Sequence, residues 1–144
     1  MRMYADTSFL FALMLRDANS AAAGAYLRTH RQPLPFTPLQ RCELRNALRL
    51  AVFRGNADAA AAKAALAQIE RDLEAGNLVE APFSWTDALE EADRVGEKHT
   101  ATLGIRTMDL LHLGAALSLG AKEFLTFDTR QFACAKALGL RVGP

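Results

Sequence analysis

A chain of 144 residues sets the expectation of one domain around one core, spanning 1–144. Hydrophobic residues at 51% and charged residues at 23% exclude a disordered chain, and no apolar run approaches the ~20 residues of a membrane span. A net charge of +1 points to no partner by itself.

Residues 1–5 are apolar apart from Arg2 and fit a short buried strand, with Thr7 or Ser8 placed to cap the helix that follows. That helix, over 9–16, is apolar nearly all round and is expected to pack deeply. A second helix runs from Ser20 to Thr29. Residues 34–37 are extended, because Pro35 and Pro38 push the residues before them away from helical angles. Thr37 is an N-cap with Pro38 at the first helical position, and this helix runs to about Phe53 before Gly55 stops it. Asp58 to Ala75 is an alanine-rich helix ending at Gly76. A strand over 77–81 is closed by Pro82. Ser84 or Thr86 caps a helix to about Leu103, ended by Gly104. Thr107 caps the next, through Leu119. Residues 122–127 form a strand, Thr129 caps a short helix to Leu138, and 140–142 form a last strand. Strands alternating with helices favour an α/β fold whose parallel sheet is covered on both faces.

Asp6 interrupts any apolar leader, so a cytoplasmic protein is expected. Cys42 and Cys134 lie in helical patterns, make no ligand pair, and are read as small core residues.

Four acids stand out. Asp6 and Asp128 each end an apolar strand. Asp109 lies in the first turn of its helix, and Glu43 in the second turn after Thr37. In open α/β sheets ligands bind beyond the carboxyl ends of the strands, and strand ends share an edge with helix starts. The topology therefore sends all four to one edge. Each alone has an ordinary role: Asp109 complementing the helix dipole, Asp6 and Asp128 capping, Glu43 pairing with Arg41 or Arg45. Thr7, Ser8 and Thr129 are expected to supply the capping oxygens instead. Gathered like charges call for a divalent cation, which points to metal-dependent chemistry on a phosphate ester. With four acids sequestered, the 17 Lys and Arg outnumber the remaining acids by five, a mildly positive surface around a negative hole.

Other features carry less. His30 reads as a surface loop residue, and His99 lies near a helix end. His112, three residues after Asp109, is expected to make a structural hydrogen bond. The three histidines make no zinc pattern, and no glycine-rich phosphate loop occurs. Arg41, Arg45 and Arg49 recur at helical spacing beside Glu43, as a phosphate or partner contact or as a solvated face. Arg106 and Arg130 stand beside acids and are set to pair with them or with phosphate. The run from Phe9 to Leu15, with Phe36, Phe53 or Trp85, is either a buried helix or part of a dimer face or partner groove.

The run Tyr4-Ala-Asp-Thr-Ser-Phe-Leu10 resembles the opening of PIN domains. Residues 105–116 (Ile-Arg-Thr-Met-Asp-Leu-Leu-His-Leu-Gly-Ala-Ala) resemble their third-acid helix, and 123–140 their C-terminal strand and helix. Glu43 falls in the helix that carries the family's second acid. Length and the absence of further domains resemble VapC-type toxins of toxin–antitoxin pairs. The resemblance implies an α/β/α sandwich with a mostly parallel central sheet. It also implies a Mg²⁺- or Mn²⁺-dependent endoribonuclease, commonly a homodimer, inhibited by a small cognate antitoxin. Asp6, Glu43, Asp109 and Asp128 carry over as catalytic acids, with Asp6, Asp109 and Asp128 as metal ligands; Thr7 and Thr126 flank the site. Two alternatives stand beside it: a PIN-like module that binds RNA or protein with weak activity, and a nuclease acting on another phosphate ester such as DNA.

Overall fold

The strands are short; Met3–Ala5, Leu34–Phe36 and Glu123–Leu125 are buried along their whole length, whereas Leu78–Glu80 and Arg141–Gly143 are partly exposed. The computed structural model describes residues 3–144; Met1 and Arg2, the start of the expected first strand, lie outside them. The elements follow in the order β1 (Met3–Ala5), α1 (Thr7–Met14), α2 (Ser20–Thr29), β2 (Leu34–Phe36), α3 (Pro38–Phe53), α4 (Ala59–Ala75), β3 (Leu78–Glu80), α5 (Trp85–Leu103), α6 (Thr107–Ser118), β4 (Glu123–Leu125), α7 (Thr129–Ala137) and β5 (Arg141–Gly143). Every strand pairing is parallel, as expected of strands joined through helices. The chain forms two compact units.

The first unit holds β1 with Asp6 and everything from Pro82 onward. Its sheet has the order β1-β4-β5, with Tyr4 opposite Phe124 and Glu123 opposite Arg141. Tyr4 and Phe124 are fully buried and stack with ring centroids 5.8 Å apart. Glu123, buried at the start of β4, has Arg141 Nη2 at 3.5 Å on the next strand.

Helices α5 and α6 pack so closely that small residues are obligatory. Ala88 and Ala92, buried one turn apart on α5, face Gly114 on α6. A Cβ on Gly114 would overlap the Ala88 carbonyl oxygen and stand 2.8 Å from the Ala92 nitrogen. One turn further along α5, a Cβ on Gly96 would come within 3.1 Å of the Leu110 side chain. Gly104 ends α5 in the left-handed region at φ 65°, where a Cβ would be strained.

The second unit holds residues 7–81, in which β2 pairs with β3 and α1 packs on α2, α3 and α4. Thr37 caps α3 with a complete box: its hydroxyl accepts the Gln40 N–H, and Gln40 Oε1 accepts the Thr37 N–H at 2.7 Å. Phe9, Leu10 and Ala12 of α1 are buried, so much of the apolar run is core. Phe36 is buried too, whereas Phe53 is almost wholly exposed. No helix is long and apolar enough to cross a membrane among the described residues.

The cysteines divide. Cys134 is buried, as expected, but Cys42 is exposed on α3, because the apolar face of that helix is carried by Leu44, Leu48 and Ala51 instead. Burial pushes the Cys134 thiol above its ordinary range. A disulfide-exchange reagent should therefore titrate one thiol in the native protein and two after denaturation. Two fast thiols in the native state would contradict this burial.

Candidate active site

Two neighbouring strand ends build the site. β1 and β4 place Ala5 opposite Leu125, and the ladder continues with the Asp6 N–H donated to the Leu125 carbonyl at 3.0 Å. One step further both strands end, so Asp6 and Thr126 leave the sheet side by side. Thr126 Oγ1 donates to Asp6 Oδ2 at 2.6 Å, and each residue is only 1% exposed. A hydroxyl–carboxylate bond this short, away from water, fixes the Asp6 side chain firmly.

The Thr126 hydroxyl oxygen also accepts the Asp128 N–H at 2.9 Å. Asp128 in turn caps α7: its Oδ1 accepts the Gln131 N–H at 2.8 Å. This corrects the expectation that Thr129 is the cap. Thr129 is the first helical residue, and aspartate, a stronger cap than threonine, takes the position before it. Thr7 is likewise the first residue of α1, and Thr107 the first of α6. The N-cap of α6 is Arg106, which makes no side-chain cap bond.

Asp109 sits in the first turn of α6, where negative charge complements the exposed N–H groups. Its Oδ1 accepts Gln131 Nε2 at 3.0 Å, and its Oδ2 accepts Arg106 Nε at 3.3 Å. A hydrogen-bonded relay thus joins Asp6, Thr126, Asp128, Gln131, Asp109 and Arg106. Arg106 is largely exposed, so its pairing is weak and open to exchange for a phosphate.

Behind the relay, His112 is 1% exposed, with Nδ1 3.0 Å from the Tyr4 hydroxyl oxygen. This is the structural hydrogen bond expected of it. It ties α6, which carries Asp109, to β1, which leads into Asp6. Sequence reasoning missed Gln131. Its signal was the spacing Asp128-x-x-Gln131, the pattern of a capping box.

Glu43 is half-buried on α3, in the second unit. Of the arginines along that helix, Arg41 is committed within the unit: it bonds Glu70 at 3.0 Å and Glu80 at 3.3 Å and lies over the Phe36 ring. Arg45 is half-buried and Arg49 exposed.

The carboxylates of the relay offer oxygen donors, which suit a hard divalent cation. Among the described residues no three His, Cys, Asp or Glu side chains stand close enough together to hold a metal ion.

The PIN domain family model matches residues 3–137. Ribonuclease VapC46 of Mycobacterium tuberculosis is 31% identical over 149 residues, covering 97% of this chain and 95% of its own length. Among solved structures the chain is similar to M. tuberculosis VapC20, described as a sarcin–ricin loop cleaving toxin, with a TM-score of 0.67 at 20% identity and 99% of each chain covered. It is similar also to VapBC-1 of nontypeable Haemophilus influenzae (TM-score 0.63, 18% identity) and FitAcB of Neisseria gonorrhoeae (0.62, 16%), covering 99% of this chain and 96% of each of those. These structural likenesses establish the mixed α/β fold with its parallel sheet. With a family model matched over nearly its whole length, the chain belongs to the PIN domain family.

Proposed function

We propose that this protein is a divalent-metal-dependent endoribonuclease, the toxin of a toxin–antitoxin pair. The observation that carries the reading is the chain of hydrogen bonds that links Asp6, Asp128 and Asp109 through Thr126 and Gln131. The name of the VapC46 relative supports ribonuclease activity, and the VapBC-1 neighbour supports an antitoxin partner.

Asp6, Asp109 and Asp128 would hold the cation. A divalent ion supplies Lewis acidity and a lowered pKa for a water molecule. Thr126 keeps the Asp6 carboxylate in place; for Glu43, in the second unit, the resemblance alone implies the role of orienting or deprotonating the attacking water. Arg106 releases Asp109 and pairs with the substrate phosphate. Water's oxygen bonds to phosphorus as the P–O3′ bond breaks, and the leaving oxygen takes up a proton. The products carry a 5′-phosphate and a 3′-hydroxyl.

A cleft of about 1010 Å³ in the second unit suits the antitoxin. Leu13, Met14, Leu27 and Leu78 line it together with Arg16, Arg31 and Arg71. An amphipathic antitoxin segment with acidic residues beside its apolar face matches that lining.

The deciding experiment offers the purified chain RNA, single-stranded DNA and small phosphate esters, with Mg²⁺, Mn²⁺ or chelator. Metal-dependent cleavage of RNA alone is the expected result. Cleavage in chelator, or preference for DNA, would overturn the reading. Mn²⁺ at a hundredfold excess over its dissociation constant should also stabilise the fold by about 2.7 kcal/mol. No melting shift with any divalent ion would count against the site.

A further inference from the structure

Two glutamines occupy the same position, the third residue, of two capped helices and behave differently. In α3, Gln40 turns back, and its Oε1 accepts the N–H of the cap residue. In α7 the corresponding N–H, that of Asp128, is already donated to Thr126. Gln131 is therefore not needed on its own helix and reaches across to α6. A carboxylate oxygen only accepts, so the amide NH₂ faces Asp109, as observed at 3.0 Å. The amide oxygen is left over. Gln131 is 3% exposed, and its Oε1 is buried without a hydrogen-bond partner. A buried acceptor is rarely orphaned, and the amide that carries this one is held against the Asp109 carboxylate.

We infer that Gln131 Oε1 is an additional, neutral oxygen of the cation site, facing the bound divalent ion or one of its waters. The inference rests on the metal-dependent reading above and adds a residue to it. An amide oxygen is a hard donor suited to Mg²⁺ or Mn²⁺, and it adds no further negative charge. The amide would then do two things at once: its nitrogen holds Asp109, and its oxygen meets the ion.

The test measures Mn²⁺ binding to the full chain by the loss of the free-ion paramagnetic resonance signal, with no substrate present. Gln131→Leu removes both amide groups and should weaken Mn²⁺ binding by about 10–100-fold. Gln131→Glu keeps an oxygen but loses the N–H donated to Asp109. It should bind Mn²⁺ at least as tightly as the wild type and show a larger metal-induced rise in melting temperature. Should Gln131 serve only to brace Asp109, both variants lose the same donor and weaken alike, and that outcome overturns the inference. Gln131→Leu binding as the wild type does, while Asp109→Asn binds poorly, also overturns it and leaves the metal-dependent reading standing. A wild-type chain that takes up no Mn²⁺ overturns both. If Gln131→Leu does not fold, the Gln131→Glu comparison alone still decides.

Discussion

Replacing Asp6 or Asp109 by asparagine should abolish RNA cleavage while the metal-free melting curve stays in place. Both changes keep the shape of the side chain and an acceptor oxygen, so the Thr126 hydroxyl can still donate to position 6 and Gln131 to position 109. What is lost is charge. A metal ion contributes several kcal/mol of charge stabilisation, and each ~1.4 kcal/mol is a factor of ten in rate. Turnover should fall by at least about a hundredfold. Asp128→Asn is an instructive companion. Asparagine caps a helix as well as aspartate does, so α7 should remain intact and only the cation site should suffer. Gel-based cleavage alongside calorimetry reads both quantities. Full activity in the Asp6 and Asp109 variants would remove these acids from the mechanism.

Gly114→Ala carries the largest expected effect on stability. In an open helix, alanine would gain ~1 kcal/mol over glycine. Here the added methyl meets the Ala88 carbonyl and stands 2.8 Å from the Ala92 nitrogen and 2.9 Å from the Ala92 Cβ. These are largely backbone atoms of α5, which cannot rotate aside, so the two helices must separate. Overpacking costs ~1–3 kcal/mol, and obstruction by backbone belongs at the upper end. A fall of roughly 6–12 °C in melting temperature is expected for a chain of this size. Because α6 also carries Asp109, Mn²⁺ affinity should fall with it. A variant as stable as the wild type would mean that the helices are less closely packed than described.

Most of the fold was legible because its signals are local. Pro38, Gly55, Gly76 and Gly104 punctuate helices by backbone chemistry alone, and α2, α3, α5 and α6 follow the expected ranges within a residue or two. The strand leading to Asp128 was drawn too long, over 122–127, because Thr126 and Phe127 have strand-like side chains. In the structure the β1 ladder runs out at Leu125, and Thr126 turns its hydroxyl to Asp6. The caps were misjudged for a similar reason. A threonine beside an aspartate looks like an adequate cap, but only one of them can hold the position before the helix. Asp6, Asp109 and Asp128 could be placed at one edge by topology. Gln131 could not, since its role depends on Thr126 having already taken the N–H that Gln131 would otherwise serve.

The bond between Thr126 and Asp6 spans 120 positions of sequence. β1 must therefore wait for β4 before this bond can form, and β1 cannot be paired locally in the meantime. A chain made only to its midpoint holds Asp6 and Glu43 but neither Asp109 nor Asp128. On the proposed reading, the cutting site stays unassembled until β4 and α7 have been made.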